Sequence, residues 1–205
     1  MRLLASHSDS FDPSAPWIQG EILKQWGGPV FSQELARRRS PHTGYEHDYV
    51  RLKGADWVNV IPFTRLATGG ELLVVEQFRH GIDASTLEIP GGCCDPGEDP
   101  LQSAIRELRE ETGHVAGRWV SLGSCTPNPA TQDNRCHSFL ALDCTPDGPL
   151  RLDRTEELRL WACGWSEWEE LMRNGDIHHA LVLVAFLRLF YWPGWPELKR
   201  QLCMD

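Results

Sequence analysis

The sequence has no hydrophobic run long enough to cross a bilayer as a helix. Its most apolar stretch, "ALVLVAFLRLFYW" from Ala180 to Trp192, is 13 residues long and interrupted by Arg188. A spanning helix needs roughly 20 such residues, so this one reads as a buried helix and no membrane partner is expected. Positive charge is also scarce: 20 Lys and Arg stand against 29 Asp and Glu, for a net charge of −9. That excludes a mainly electrostatic nucleic-acid binder, which carries a basic domain or stripe. It does not exclude an anionic substrate, because a bound divalent cation reverses the local field. Cys-x-x-Cys is absent, and the seven cysteines are an odd number with no framework-like spacing. A zinc knuckle and a disulfide scaffold are therefore not expected, and free thiols in a cytoplasmic protein are. The opening "MRLLASHSDSFDPSAPW" soon turns polar, so no secretory leader is expected. There is no internal repeat and no low-complexity tract.

A hydrophobic content of 41% over 205 residues suits one domain, or one domain with an appendage. Residues 1–28 are the least decided, broken by Pro13, Pro16 and Gly27–Gly28. Beyond them "VFSQELARR", "HDYVRLK" and "DWVNVIPFTR" read as strands. The last, interrupted only by Asn59 before Pro62, suits a strand buried on both faces. "LLVVEQFR" and "TLEIP" follow as strands, then the turn-rich "GGCCDPGED" and a charged helix. "WVSLGS", "RCHSFLALDC" and "LRLWAC" read as further strands, "SEWEELMRNG" as a short helix, and the apolar helix starts near His179. Strands before, between and after a few helices make an α/β or α+β domain.

The charged helix is specified at both ends. Asp99 suits the N-cap, Pro100 the first helical position, Gln102 the capping-box position, and Gly113 the left-handed residue after the last turn. Leu101, Ala104, Ile105, Leu108 and Thr112 form the expected buried stripe. Glu107, Glu110 and Glu111 fall together at its edge, and Arg106 is placed to hold Glu110 four residues on. Three like charges at that spacing destabilise a helix by roughly 0.2–0.5 kcal/mol per pair. Such a face is either simply solvated or the wall of a cation site.

The wider pattern separates these readings. In "GGCCDPGEDPLQSAIRELREETG", Gly92 is followed after five residues by Glu98, after seven more by Arg106–Glu107, and then by Glu110–Glu111 and Gly113. This resembles the signature box of the Nudix hydrolases, with all seven fixed identities met and Leu108 at the first apolar position. At typical residue frequencies, seven fixed identities coincide by chance about once in 10^8 positions. One departure is His114, where the box ends on an apolar residue. The resemblance implies a Nudix α/β/α sandwich with a mixed β-sheet, here residues 56–205, preceded by an N-terminal strand region, residues 1–55, that serves dimerisation. It also implies Mg²⁺, with Mn²⁺ as a substitute, held by Glu107 and Glu111. Glu110 is implied as ligand or water-positioning group, and a backbone carbonyl of the Gly91–Gly92 turn as a further ligand. Mg²⁺ favours such oxygen donors.

Outside the box the chain is most similar to the ADP-ribose pyrophosphatases and related nucleotide-sugar hydrolases. "VVEQFRHGI" followed by "LEIPGG" matches that group's strand pair, which makes Arg79 a phosphate contact and Glu88 a substrate-binding candidate. Pro129, sixteen residues after Gly113, stands where a proline accompanies ADP-ribose hydrolysis, and it is equally an ordinary turn residue. "RTEELRLW" matches an acidic loop that supplies the catalytic base, with Glu156 the better match than Glu157 and Glu110 its rival. Phe31 and Trp57 are candidates for stacking on the nucleotide base, and Trp57 is equally a packing residue. Arg106 would orient the glutamates. His80, His137, His178 and His179 show no ligand spacing with the cysteines, and Cys93 and Cys94 are expected to be spectators. The implied activity is hydrolysis of ADP-ribose to AMP and ribose 5-phosphate by a homodimer. Alternatives are the same chemistry on GDP-mannose or a UDP-sugar, or a non-catalytic ligand-binding module.

Overall fold

The computed structural model describes residues 12, 14–28, 30–152 and 157–202. The chain divides into two compact units, one from residues 1–54 with 128–133 and one from residues 55–127 with 134–205.

The first unit is a three-stranded antiparallel sheet of β1 (Ile18–Gly27), β2 (Phe31–Arg39) and β3 (Glu46–Gly54), with β2 central. β1 lies in the least decided part of the sequence, and its apolar Ile18, Ile22 and Trp26 are exposed. β2 carries the buried Glu34, met by Lys53 Nζ at 3.0 Å. Phe31 covers the backbone of Gly54, where a Cβ would sit 2.7 Å from its ring. The loop 128–133 lies along β3: Leu52 N–H donates to Thr131 O at 2.7 Å, and Asp133 N–H donates to Leu52 O at 3.2 Å.

The second unit is built on β4 (Trp57–Thr64), β5 (Leu72–Arg79), β6 (Ala84–Glu88), β7 (His114–Val115), β8 (Arg118–Cys125), β9 (Cys136–Pro146) and β10 (Leu158–Cys163). The sheet runs β10-β5-β4-β9-β7, with β6 paired to β5 and β8 to β9. β4 and β9 are parallel and the other pairs antiparallel, so the sheet is mixed, as expected. Helix α1 (Pro100–Thr112) covers one face. The other face carries α2 (Trp165–Asn174), α3 (Ala180–Tyr191) and α4 (Trp195–Leu202).

Burial on both faces explains why β4 does not alternate apolar with polar. Val58 and Val60 pack toward Ala104 and Leu108 of α1, while Ile61 and Phe63 join Trp165, Trp168 and Phe186 on the other side. Asn59, the one polar interruption, donates through Nδ2 to Leu181 O of α3 at 3.1 Å. The Arg188 that interrupts the apolar run donates to Leu122 O at 3.1 Å and Ser124 O at 2.5 Å. Its guanidinium fills the space beside Gly123, whose φ of 90° also favours glycine. No described helix is long and apolar enough to cross a membrane.

Candidate active site

Helix α1 begins and ends as its sequence requires. Asp99 accepts from Leu101 N–H at 2.9 Å, Pro100 opens the first turn, and Gly113 closes it at φ 66° with its N–H on Arg109 O at 2.9 Å. The buried face differs from the expected stripe. Ser103, Ala104, Glu107, Leu108, Glu111 and Thr112 are buried, while Leu101 and Ile105 are only partly so. Two of the three glutamates therefore lie inside the packed face, at 6% and 3% exposure, rather than at its edge. Charged groups are buried only with partners.

The partners come from the strand side. After β6 the chain runs on beside β4, with Val60 N–H donating to Pro90 O at 2.8 Å and Val58 N–H to Gly92 O at 2.9 Å. This brings the two glycines against the helix. Gly91 N–H donates to Glu111 Oε2 at 2.9 Å. Gly92 lies against the Glu107 carboxylate, so closely that a Cβ would fall 2.7 Å from Glu107 Cδ. Arg106 gathers the rest. Its Nη1 donates to Glu107 Oε1 at 2.9 Å and Glu110 Oε2 at 3.1 Å, and its Nη2 to Glu98 Oε2 at 3.2 Å and Cys93 O at 3.0 Å. Burial works against the Arg106 charge, but Glu98, Glu107 and Glu110 outweigh it and push its pKa upward.

Arg79 ends β5 opposite β6, and its guanidinium forks onto Glu88: Nε to Oε1 and Nη2 to Oε2, both at 2.6 Å. Glu88 is 3% exposed, Thr86 Oγ1 donates to its Oε1 at 2.5 Å, and His179 Nε2 stands 3.9 Å from its Oε2. Burial opposes the Glu88 charge, yet Arg79 and Thr86 more than offset it and hold its pKa below the usual carboxylate value. Arg79 also feels Glu111, which with Glu88 raises its pKa. The fork and the glutamate helix are thus one electrostatic site.

Of the expected site residues, the structure draws together Arg79, Glu88, Gly91, Arg106, Glu107, Glu110 and Glu111. Trp57 opens β4 beside them, bridged to Cys93 and only partly buried. Phe31 and Pro129 belong to the other unit. Glu156 lies outside the described residues. The sequence gives no sign of Thr86 and offers His179 only as a residue without ligand spacing, since neither sits at any spacing that points to Glu88.

The donor set suits a hard divalent cation. Three carboxylates (Glu98, Glu107 and Glu110) share the Arg106 guanidinium, Glu111 lies on the Gly91 N–H, and Gly92 leaves room at Glu107 that any side chain would fill. Carboxylate and carbonyl oxygens match Mg²⁺ or Mn²⁺. Burial, and after it the field of Glu107, pushes the Cys93 thiol pKa up, so it is a poor ligand. Among the described residues, no three acidic, His or Cys side chains already converge on one ligand point.

The Nudix domain model matches residues 57–186. The chain belongs to the Nudix family. It is 38% identical over 117 residues to the ADP-ribose pyrophosphatase of Bacillus subtilis, covering 57% of this chain and 63% of that one. It is 36% identical over 141 residues to the methanol dehydrogenase activator of Bacillus methanolicus, covering 68% of this chain and 74% of that protein. The match thus spans less than two thirds of the length of the Bacillus subtilis relative. A crystal structure of an ADP compounds hydrolase superposes with a TM-score of 0.71 at 21% identity, over 90% of this chain and 96% of that one. At that identity the likeness speaks for the Nudix fold, which carries the box on α1.

Proposed function

We propose that this Nudix protein hydrolyses the diphosphate of ADP-ribose to AMP and ribose 5-phosphate, with Mg²⁺ or Mn²⁺, as a cytoplasmic homodimer. The observation that carries the reading is the buried pair Glu107 and Glu111, drawn against the Gly91–Gly92 backbone with the Arg79 guanidinium in the same field. The similarity to the Bacillus subtilis ADP-ribose pyrophosphatase supports this substrate.

In this reading Glu107 and Glu111 hold the metal, with Glu110 and a backbone carbonyl of the glycine turn as further donors. A cation held by these residues would supply screening of the phosphate charges and a more acidic water. Arg106 keeps Glu107 and Glu110 in place. Arg79, half exposed beyond its fork, clamps a phosphate, for which a planar and permanently charged group is suited. Water oxygen bonds to one phosphorus while the bridging oxygen leaves with the other phosphate. Glu110 or Glu156 takes the water proton. Trp57 contacts the nucleoside side of the substrate, and residues 1–55 form the dimer contact.

The test is a turnover panel of ADP-ribose, GDP-mannose, UDP-glucose, NADH and a dinucleoside polyphosphate with Mg²⁺, products separated by chromatography. ADP-ribose is expected to lead by about tenfold or more in kcat/KM, roughly 1.4 kcal/mol of transition-state preference. Glu111→Gln should fold and abolish turnover. A different leading substrate would refute the substrate assignment, and a native protein no faster than Glu111→Gln on every compound would refute the enzyme.

A further inference from the structure

Two cysteines face each other across the sheet of the second unit. Cys125 ends β8, Cys136 begins β9, and the antiparallel register sets them directly opposite. Among the described residues, no other two cysteines are register partners. Both are free thiols, Cys136 buried and Cys125 partly exposed. Directly opposite residues carry their side chains on one face of the sheet, and the Cys136 thiol lies in the field of Cys125.

The backbone shows what kind of pair this is. Trp57 N–H of β4 donates to Arg135 O at 2.7 Å. The next residue, Cys136, therefore turns its own N–H and C=O the other way, toward β8. That makes Cys125 and Cys136 a hydrogen-bonded pair, with Cα atoms about 5.5 Å apart. A disulfide spans that separation, but its Cβ atoms sit about 3.8 Å apart, closer than the ~5.5 Å of such a pair. The bond forms only by drawing the strand ends together, and the strain makes it easy to reduce. Resting thiols opposite each other, able to close into a labile disulfide, are the parts of a redox site.

The pair also stands at a neck. The chain leaves the second unit after Pro127 and returns at Asn134, and residues 128–133 between them belong to the first unit. There Leu52 N–H donates to Thr131 O, and Arg51 Nη2 meets Asp133 Oδ2 at 3.2 Å. We propose that Cys125 and Cys136 are a reversible oxidation site, closed to a disulfide by hydrogen peroxide, that ties together the two ends of this loop. Peroxide meets the partly exposed Cys125 first. The Cys125 sulfur takes one oxygen as the O–O bond breaks, giving a sulfenic acid and one water. The Cys136 sulfur then bonds to the Cys125 sulfur, and the hydroxyl leaves with the Cys136 proton as a second water. The two thiols lose two electrons, and one peroxide becomes two waters. Burial pushes the Cys136 thiol pKa up to about 12, so this second step is the slow one. Its place directly opposite Cys125 offsets the scarcity of thiolate.

The experiment treats the whole chain with hydrogen peroxide, blocks the remaining thiols, and reads intact mass, non-reducing peptide maps and amide hydrogen exchange. The native protein should lose the mass of two hydrogens, with one linked peptide pair joining Cys125 to Cys136, and dithiothreitol should reverse it. Closure should quicken about tenfold per pH unit, as thiolate does well below its pKa. Amides of residues 126–135 should exchange about threefold or more slowly once the bridge is closed. In Cys136→Ser, dimedone should trap a sulfenic acid at Cys125, whereas Cys125→Ser should give neither a bridge nor an adduct at Cys136. Thiols that all survive, oxidation of Cys125 straight to sulfinic acid, or a bridge from Cys94 to either Cys93 or Cys136 would overturn the site. Unchanged exchange in the loop of the bridged protein would overturn the tie.

Discussion

Alanine at Gly92 is the sharpest probe of the site, because it moves one carboxylate and little else. Gly92 is not among the glycines at positive φ, so its backbone accepts a side chain. The added Cβ would lie 2.7 Å from Glu107 Cδ and 3.0 Å from Oε2, whereas ordinary contact begins at 3.4 Å. The carboxylate must therefore withdraw by about 1 Å, the kind of misplacement that lowers a rate by about 100-fold. It is the free end of a flexible side chain, so the fold should lose no more than about 1 kcal/mol, or about 2–4 °C in Tm for a chain of this length. Gly91 makes the contrasting control. An alanine there would strike Val58 O and approach Asn59 Cα at 2.9 Å, both backbone of β4 that cannot step aside. Gly91→Ala should cost about 1–3 kcal/mol by overpacking and lower Tm clearly more. The assay is kcat on ADP-ribose with Mg²⁺ beside a thermal melt. Gly92→Ala retaining more than a third of native kcat, or melting no higher than Gly91→Ala, would refute the argument.

Arg106→Lys replaces a fork that serves Glu98, Glu107, Glu110 and Cys93 O with a single ammonium. The expected result in steady-state kinetics is a kcat lower by about tenfold or more with KM little changed, which is the pattern for lost transition-state positioning; an equal rise in KM with native kcat would contradict it. Glu88 should make the fold acid-sensitive. A carboxylate whose folded pKa is depressed adds stability above its unfolded value and loses it as pH falls through the folded value. Urea midpoints of the native protein should then drop below about pH 4.5 more steeply than those of Glu88→Gln, and parallel curves would rule out the contribution. Arg188→Leu would make α3 more apolar yet leave the Leu122 and Ser124 carbonyls without their donor. A loss of about 1–3 kcal/mol is expected in denaturant titration, and a gain in stability would show that these bonds contribute nothing.

Features set by neighbours a few residues apart were legible without coordinates. The limits of α1 follow from Asp99, Pro100 and Gly113, whose capping chemistry acts within one turn. The apolar character of β4, broken only by Asn59, announced burial on both faces, and Asn59 proved to be its tie to α3. The residues of the box could be named because their spacing along the chain resembles the Nudix signature, and three of its glutamates share one helix face because they fall at i, i+3 and i+4. β1 was not legible. Prolines and glycines break up residues 1–28, and Ile18–Gly27 is a strand because β2 lies beside it.

The sequence by itself determined the family, the box and the fact that three carboxylates share a helix. Only the tertiary structure decided that Glu107 and Glu111 are buried and Glu110 is not. That difference depends on where the Pro90–Gly92 segment runs along β4, beyond the reach of any helical periodicity. It likewise decided that Arg79 is tied to Glu88, through the β5–β6 register, and that His179 stands behind that pair from the start of α3. It assigned Phe31 and Pro129 to the unit of β1, β2 and β3, although Pro129 lies in the loop between β8 and β9. Capping and side-chain periodicity are local and leave their mark in consecutive residues. Charge pairing across the site depends on strand register and loop path, which the chain settles only once its core is packed.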